Sequence, residues 1–359
     1  MRRAALVWWL ALLCALLLAA TGPAVAVTDL DDDTLDVEDD TGDEEPTKAP
    51  RTPAPTSSAS NRDADPTIVA VRALRNEAMK LNDQRDQRGA IDKMREAIKK
   101  MYQRVFGEER HQVTDPQDIS QDAALYSQIL SDYGNVLIRA KEYDEAIDVL
   151  EDAVSMTEKI FGPSHPSLGL SLRSLADAYM AKDEYKKAIK KYRTLRKHVR
   201  MGLGVQHEAF VEASLRIAEA QKKLGKHKKA VATLQKMLRE QGQQVNGLTK
   251  GIGEVYMELA TELLSMGEPD ESLRAAETAR AIFAERDGKD TITYAFSLNA
   301  LAGVRMRQNR VADAYKLLQE AHQIAIKLYG KNDDIVRASA RTLSEVKAKL
   351  DEMEQRDEL

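Results

Sequence analysis

The sequence predicts an all-α solenoid, and three observations carry that expectation. A small residue returns every 42 residues, at Ala146, Ala188, Ala230, Ser272 and Ala314. A second small residue stands twelve places before each of these, at Gly134, Ala176, Ala218, Ala260 and Ala302. Between and around them apolar residues recur at three and four, the spacing of one helical face. A period of this length marks a stack of supersecondary units, none of which buries its apolar face alone.

Composition agrees with this expectation. Aromatics make up 5% and charged residues 31% of 359 positions, and only ten prolines occur, which suits a water-exposed, helix-rich chain. A repeat array grows its core along one axis, so the period outranks the usual limit that length sets on domain size.

The chain opens, over residues 1–26, with Arg2 and Arg3, an apolar run, then Gly22-Pro23 before Ala24-Val25-Ala26. A basic start, an apolar stretch and a small-residue site are what a secretory signal peptide requires. The alternative is a signal anchor, since the run is close to the lower limit for spanning a bilayer. The helix breakers and the small residues favour cleavage, and no membrane attachment is expected afterwards. The sole cysteine, Cys14, lies in this segment, so its removal leaves no disulfide, cysteine metal site or thiol nucleophile.

Residues 27–66 show no apolar periodicity. Eleven of the seventeen residues from 29 to 45 are acidic, and Pro, Thr, Ser and Ala follow. Such a stretch buries too little apolar surface to offset the entropy of ordering, and it is expected to be a disordered linker.

The repeats occupy residues 67–350. The best-defined unit has Leu130, Tyr133, Gly134 and Leu137 on a first helix, then Tyr143, Ala146, Ile147, Leu150, Ala153, Val154 and Ile160 on a second. Gly134 and Ala146 lack bulk where the two helices cross. Phe161-Gly162-Pro163-Ser164-His165-Pro166 ends the second helix, because Gly tolerates a left-handed cap and Pro cannot extend the ladder. Ala78 and Ala90 repeat the spacing of twelve in an earlier unit, separated from the next by a longer connection at residues 107–121. After the last unit, Ile335, Leu343, Val346 and Leu350 describe a capping helix with a polar outer face.

These features resemble the tetratricopeptide repeat (TPR) family, whose helix-turn-helix unit has small residues at corresponding positions. The 42-residue period and the loop at residues 161–166 are similar to the kinesin light chain type. The resemblance implies a right-handed α-solenoid of about six TPR units with a C-terminal capping helix. It also implies that the first helices line a groove for a protein or peptide ligand. Transferring the family's lining positions places Asn135, Arg139, Arg173, Asp177, Glu219, Lys222, Thr261, Asn299 and Arg307 there. Asp177 and Glu219 interrupt the Lys/Asn/Arg set by which some TPR domains hold a carboxyl terminus, so that mode is not expected.

Catalytic motifs do not emerge. There is no Gly-rich phosphate loop, HExxH, GxSxG or CxxC, and His165, His207 and His322 lack a second ligand at metal spacing. No enzyme activity, cofactor or metal is expected, and His165 is implied to be a loop-structuring residue. A basic stretch runs through Lys186, Lys187, Lys190, Lys191, Arg193, Arg196, Lys197 and Arg200, with Lys222, Lys223, Lys226, Lys228 and Lys229 near the next turn. A solvated face explains it, and an alternative is contact with the acidic segment. Positions 67–359 hold 48 Lys and Arg against 45 Asp and Glu, a balance of +3, and nucleic acid is not expected as a partner.

Residues 351–359 form an acidic tail ending in Arg356, Asp357, Glu358 and Leu359. This resembles the KDEL-type retrieval signals, with Arg at the first position, and implies a luminal receptor as partner. Together the two ends point to an endoplasmic reticulum luminal scaffold, an adaptor or co-chaperone-like factor. Two other readings stand beside it: a cargo adaptor of kinesin light chain kind, and the substrate-binding subunit of a luminal enzyme complex.

Overall fold

The computed structural model describes residues 65–107, 116–163, 165–242 and 251–357. The segment expected to be a signal peptide and nearly all of the expected linker, with Ser164, Glu358 and Leu359, therefore lie outside the described residues. The described residues form thirteen α-helices and no strand. They fall into two compact units that meet in sequence at Leu224 and Gly225.

The first unit contains α1 (Pro66–Asp83), α2 (Gln87–Phe106), α3 (Pro116–Ala140), α4 (Tyr143–Phe161), α5 (Pro166–Ala181), α6 (Tyr185–Gly202) and α7 (Glu208–Lys223). Helices α1/α2, α3/α4 and α5/α6 are hairpins, each packed on the next. The long connection is shorter than expected, because α3 begins at Pro116. The second unit contains α8 (His227–Gly242), α9 (Ile252–Ser265), α10 (Pro269–Arg286), α11 (Ile292–Arg307), α12 (Val311–Tyr329) and α13 (Asp334–Asp357). Here α9/α10 and α11/α12 are the hairpins, and α13 packs on α12 as the cap. That last helix continues through residues 351–357.

The small residues sit where the helices cross. All ten are buried, and a Cβ placed on Gly134 would lie 2.5 Å from Leu150 Cγ, too close for any carbon pair. Ser272 shows the contact directly: its hydroxyl donates to the carbonyl of Ala260, twelve residues earlier, at 2.6 Å. The spacing of twelve thus pairs two residues across one crossing. Elsewhere the core is mainly aliphatic, with Tyr192, Phe210 and Phe283 as its bulkiest buried side chains, and each fully buried Leu or Ile contributes roughly 1.5–3 kcal/mol.

Four of the first helices, α1, α5, α7 and α11, start on a capping side chain. Asp65 accepts from the backbone N–H groups of Thr67 and Ile68, and Pro66 fills the first turn, where no donor is needed. Arg104 on α2 reaches both Asp65 and the buried Asp122 of α3, at 2.9 and 2.6 Å. His165 and His207 play the same capping part, each ring nitrogen accepting from the N–H two residues on. His165 also stacks on Phe161 at 4.4 Å between centroids, so the implied loop-structuring role has a concrete form.

Candidate functional site

In the first unit the first helices of successive hairpins, α1, α3 and α5, together enclose a groove of about 720 Å3. Its base rests on small hydroxyl residues. Ser127 meets Thr157 of α4 at 2.5 Å, and Ser131 of α3 meets Ser171 of α5 at 3.0 Å. Ser131 and Ser171 also bond back to the carbonyls four residues earlier, so these buried hydroxyls are satisfied. Short polar side chains let α3 and α5 approach while leaving space above them.

The walls carry charge of both signs. Arg75 of α1 binds Asp132 of α3 at 2.5 Å, fixing one side. Arg173 of α5 binds Glu212 of α7 at 2.6 Å and lies 3.9 Å from Asp177. Asp177 in turn accepts from the hydroxyl of the buried Tyr192. Burial, and then the carboxylate of Asp177, push that phenol well above its usual range, so it stays a donor. Gln128 and Asn135 are exposed amides in the groove, and Leu170, 58% exposed, is an apolar side chain left uncovered there. An amide both donates and accepts, which matches a polypeptide main chain.

Of the residues expected in a groove, the structure brings Asn135, Arg173 and Asp177 together here. Arg139 lies one turn beyond Asn135 and is 3.6 Å from Asp83 at the α1 end. Glu219 accepts from Arg216 at 2.9 Å on α7, and Lys222 is half-buried on the same helix. The second unit treats its three differently. The Thr261 hydroxyl bonds back to Met257, Arg307 is half-buried, and Asn299 is 3% exposed with its side-chain oxygen unbonded. A smaller cavity of about 370 Å3 lies between α8, α9 and α10, beside Tyr256 and Arg274, and none of the three lines it.

Comparison with known proteins adds the lineage. A tetratricopeptide repeat model matches residues 125–201. The "RxLR effector protein SFI4" of Phytophthora infestans (strain T30-4) is 64% identical over 311 residues, covering 86% of this chain and 92% of its own. The chain belongs to the RxLR effector family. A second relative, the "Secreted RxLR effector protein RXLR-C07" of Plasmopara halstedii, is 60% identical over 299 residues, 83% of this chain and 92% of its own. Among solved structures, BtubC (BKLC) from P. vanneervenii shares the fold at a TM-score of 0.54 and 14% identity, over 68% of this chain and 92% of its own. The fold is thus an all-α TPR solenoid, and its type is that of a protein-binding scaffold.

The letters in the effector names direct attention to Arg-x-Leu-Arg, a string the composition and periodicity did not single out. It occurs at Arg72-Ala73-Leu74-Arg75 in α1 and at Arg193-Thr194-Leu195-Arg196 in α6. In α1 the leucine packs on the core, Arg75 is the partner of Asp132, and Arg72 borders the groove. In α6 Leu195 is buried and Arg193 is exposed. Two arginines three apart with an inward leucine between them are one turn of an amphipathic helix, which is why the string is inconspicuous in a helical repeat.

Proposed function

We propose that this chain is a non-enzymatic scaffold of the secretory pathway that holds a segment of another protein in the groove between α1, α3 and α5. One observation carries the reading: the same groove offers exposed amides at Gln128 and Asn135, opposed charges at Arg173 and Asp177, and the uncovered Leu170. Amides suit a main chain, the charges fix its register, and the leucine receives one apolar side chain. An extended segment of about five residues would span such a groove.

Entry into the secretory pathway is supported by the leader expected at residues 1–26 and by a relative named as secreted. Action as an effector through protein binding is supported by the relatives' names together with the TPR fold. Retention in the endoplasmic reticulum through Arg356, Asp357, Glu358 and Leu359, with a KDEL-type receptor as partner, is a separable part of the proposal.

Selection from a random peptide library against the chain from residue 27 onward tests the groove. Peptides selected on the native chain bind at least ~10-fold more weakly when Asn135→Ala and Arg173→Glu are combined. Equal binding to both would overturn the assignment. Retention is tested by comparing secretion of the full chain with one ending at Gln355; the shortened chain accumulates in the medium if the signal acts, and equal secretion removes that part.

A further inference from the structure

Helix α6 carries eight Lys and Arg side chains and no carboxylate. Lys187 stands one turn from Lys191, and Arg193 one turn from Lys197, so like charges repel along the helix. Lys187 is paired with Glu184 at 2.7 Å. Lys190, Arg193 and Lys197 are exposed, Lys191 is half-buried, and none of these four has a salt-bridge partner among the described residues. The face therefore lowers its electrostatic free energy by meeting an anionic surface.

We propose that the occupant is the chain's own acidic segment, residues 29–45, which docks on α6 and shields it from other polyanions. Their charges are complementary: eleven of those seventeen residues are acidic and none is basic, while α6 holds eight basic residues and no acidic one. Tethering also favours the contact. Residues 46–64 separate the segment from the start of α1 and reach up to roughly 60 Å when extended. Two hairpin steps of about 10 Å each separate α2 from α6, well within that reach. A tether of this length supplies an effective concentration on the order of 1 mM, enough to hold a weak ionic contact. The site is distinct from the groove and does not depend on the groove's function.

The test compares the chain from residue 27 with one from residue 47, both checked for helicity and cooperative melting. The probe is a fluorescein-labelled peptide of residues 28–46, followed by anisotropy at about 50 mM salt, where surface charges are weakly screened. The peptide binds the shortened chain and binds the longer chain ~10-fold more weakly, because the tethered copy already occupies the face. Combining Lys190→Gln, Arg193→Gln and Lys197→Gln abolishes binding to the shortened chain without loss of helicity. Equal binding to both chains, binding that survives those substitutions, or no binding to the shortened chain each overturns the proposal. A longer chain that sediments as a dimer and becomes monomeric on shortening also overturns it, placing the contact between two copies.

Discussion

Gly134 shows how one atom sets the register of a repeat. Its missing Cβ is the space that Leu150 fills, and Leu150 is fully buried. Gly134→Ala therefore forces the side chain or the crossing to shift, and should lower unfolding free energy by about 1–3 kcal/mol in urea denaturation. Gly202→Ala, where nothing lies within 4 Å and φ is not positive, serves as the control and should be neutral or stabilising. The histidines make a second residue-scale prediction. Burial, and then the neighbouring His198, hold His165 below its ordinary value of 6.5, and burial holds His322 below it too. Both are therefore kept neutral by the fold: their stabilisation is present above 6.5 and is lost as pH falls through the lowered folded values. The melting temperature should fall between pH 7.5 and pH 5, and His322→Asn should flatten that dependence; an unchanged slope would show that His322 is not a contributor.

At the scale of elements, the hairpin turns reveal a device that no residue type announced. Positive φ occurs at Arg85, Lys141, Asp183, Gly225, Gly267 and Asn309, the last five again 42 apart. After five of these residues the next N–H reaches back five positions, as in Glu142 to Leu137 and Arg310 to Arg305, at 2.9 and 2.8 Å. The bond that closes the helix requires the left-handed residue, whatever its side chain. Glycine marks this position only at Gly225 and Gly267, so glycine spacing alone could not have disclosed it. Lys141→Gly should stabilise the chain by about 0.5–1 kcal/mol in thermal or urea unfolding, by relieving the Cβ penalty, whereas Gly267→Ala should destabilise it. The helices themselves were legible, since the crossing positions admit only small residues and leave a fixed beat. The longer reach of α3, which starts at Pro116, was not, because its first turn and a half carries a single apolar residue, Ile119, too few to show a period.

For the whole molecule, the groove was legible in part. Asn135, Arg173 and Asp177 were reached through the register of the first helices, and they do share one groove. Leu170 was missed because an apolar residue on a helix is ordinarily assigned inward, and the hydroxyl ladder from Ser127 to Ser171 because serine at a crossing reads only as a small residue. Asn299 was placed on the same reasoning, yet α11 is buried on nearly all sides, so the equivalent register position faces the packing there. Removing the salt link of Arg173 with Glu212 by Glu212→Gln should leave folding within about 0.5 kcal/mol, since exposed pairs contribute little, while it frees Arg173 for a ligand carboxylate. The central claim is that polypeptide binds between α1, α3 and α5. The most direct measurement is backbone amide exchange of the chain from residue 27 onward with and without a library-selected peptide. Slowed exchange, or shifted resonances, confined to the groove-facing turns of α3 and α5 is the result this account requires. Protection that instead falls on α6 or on the second unit, with α3 and α5 unchanged, would contradict it.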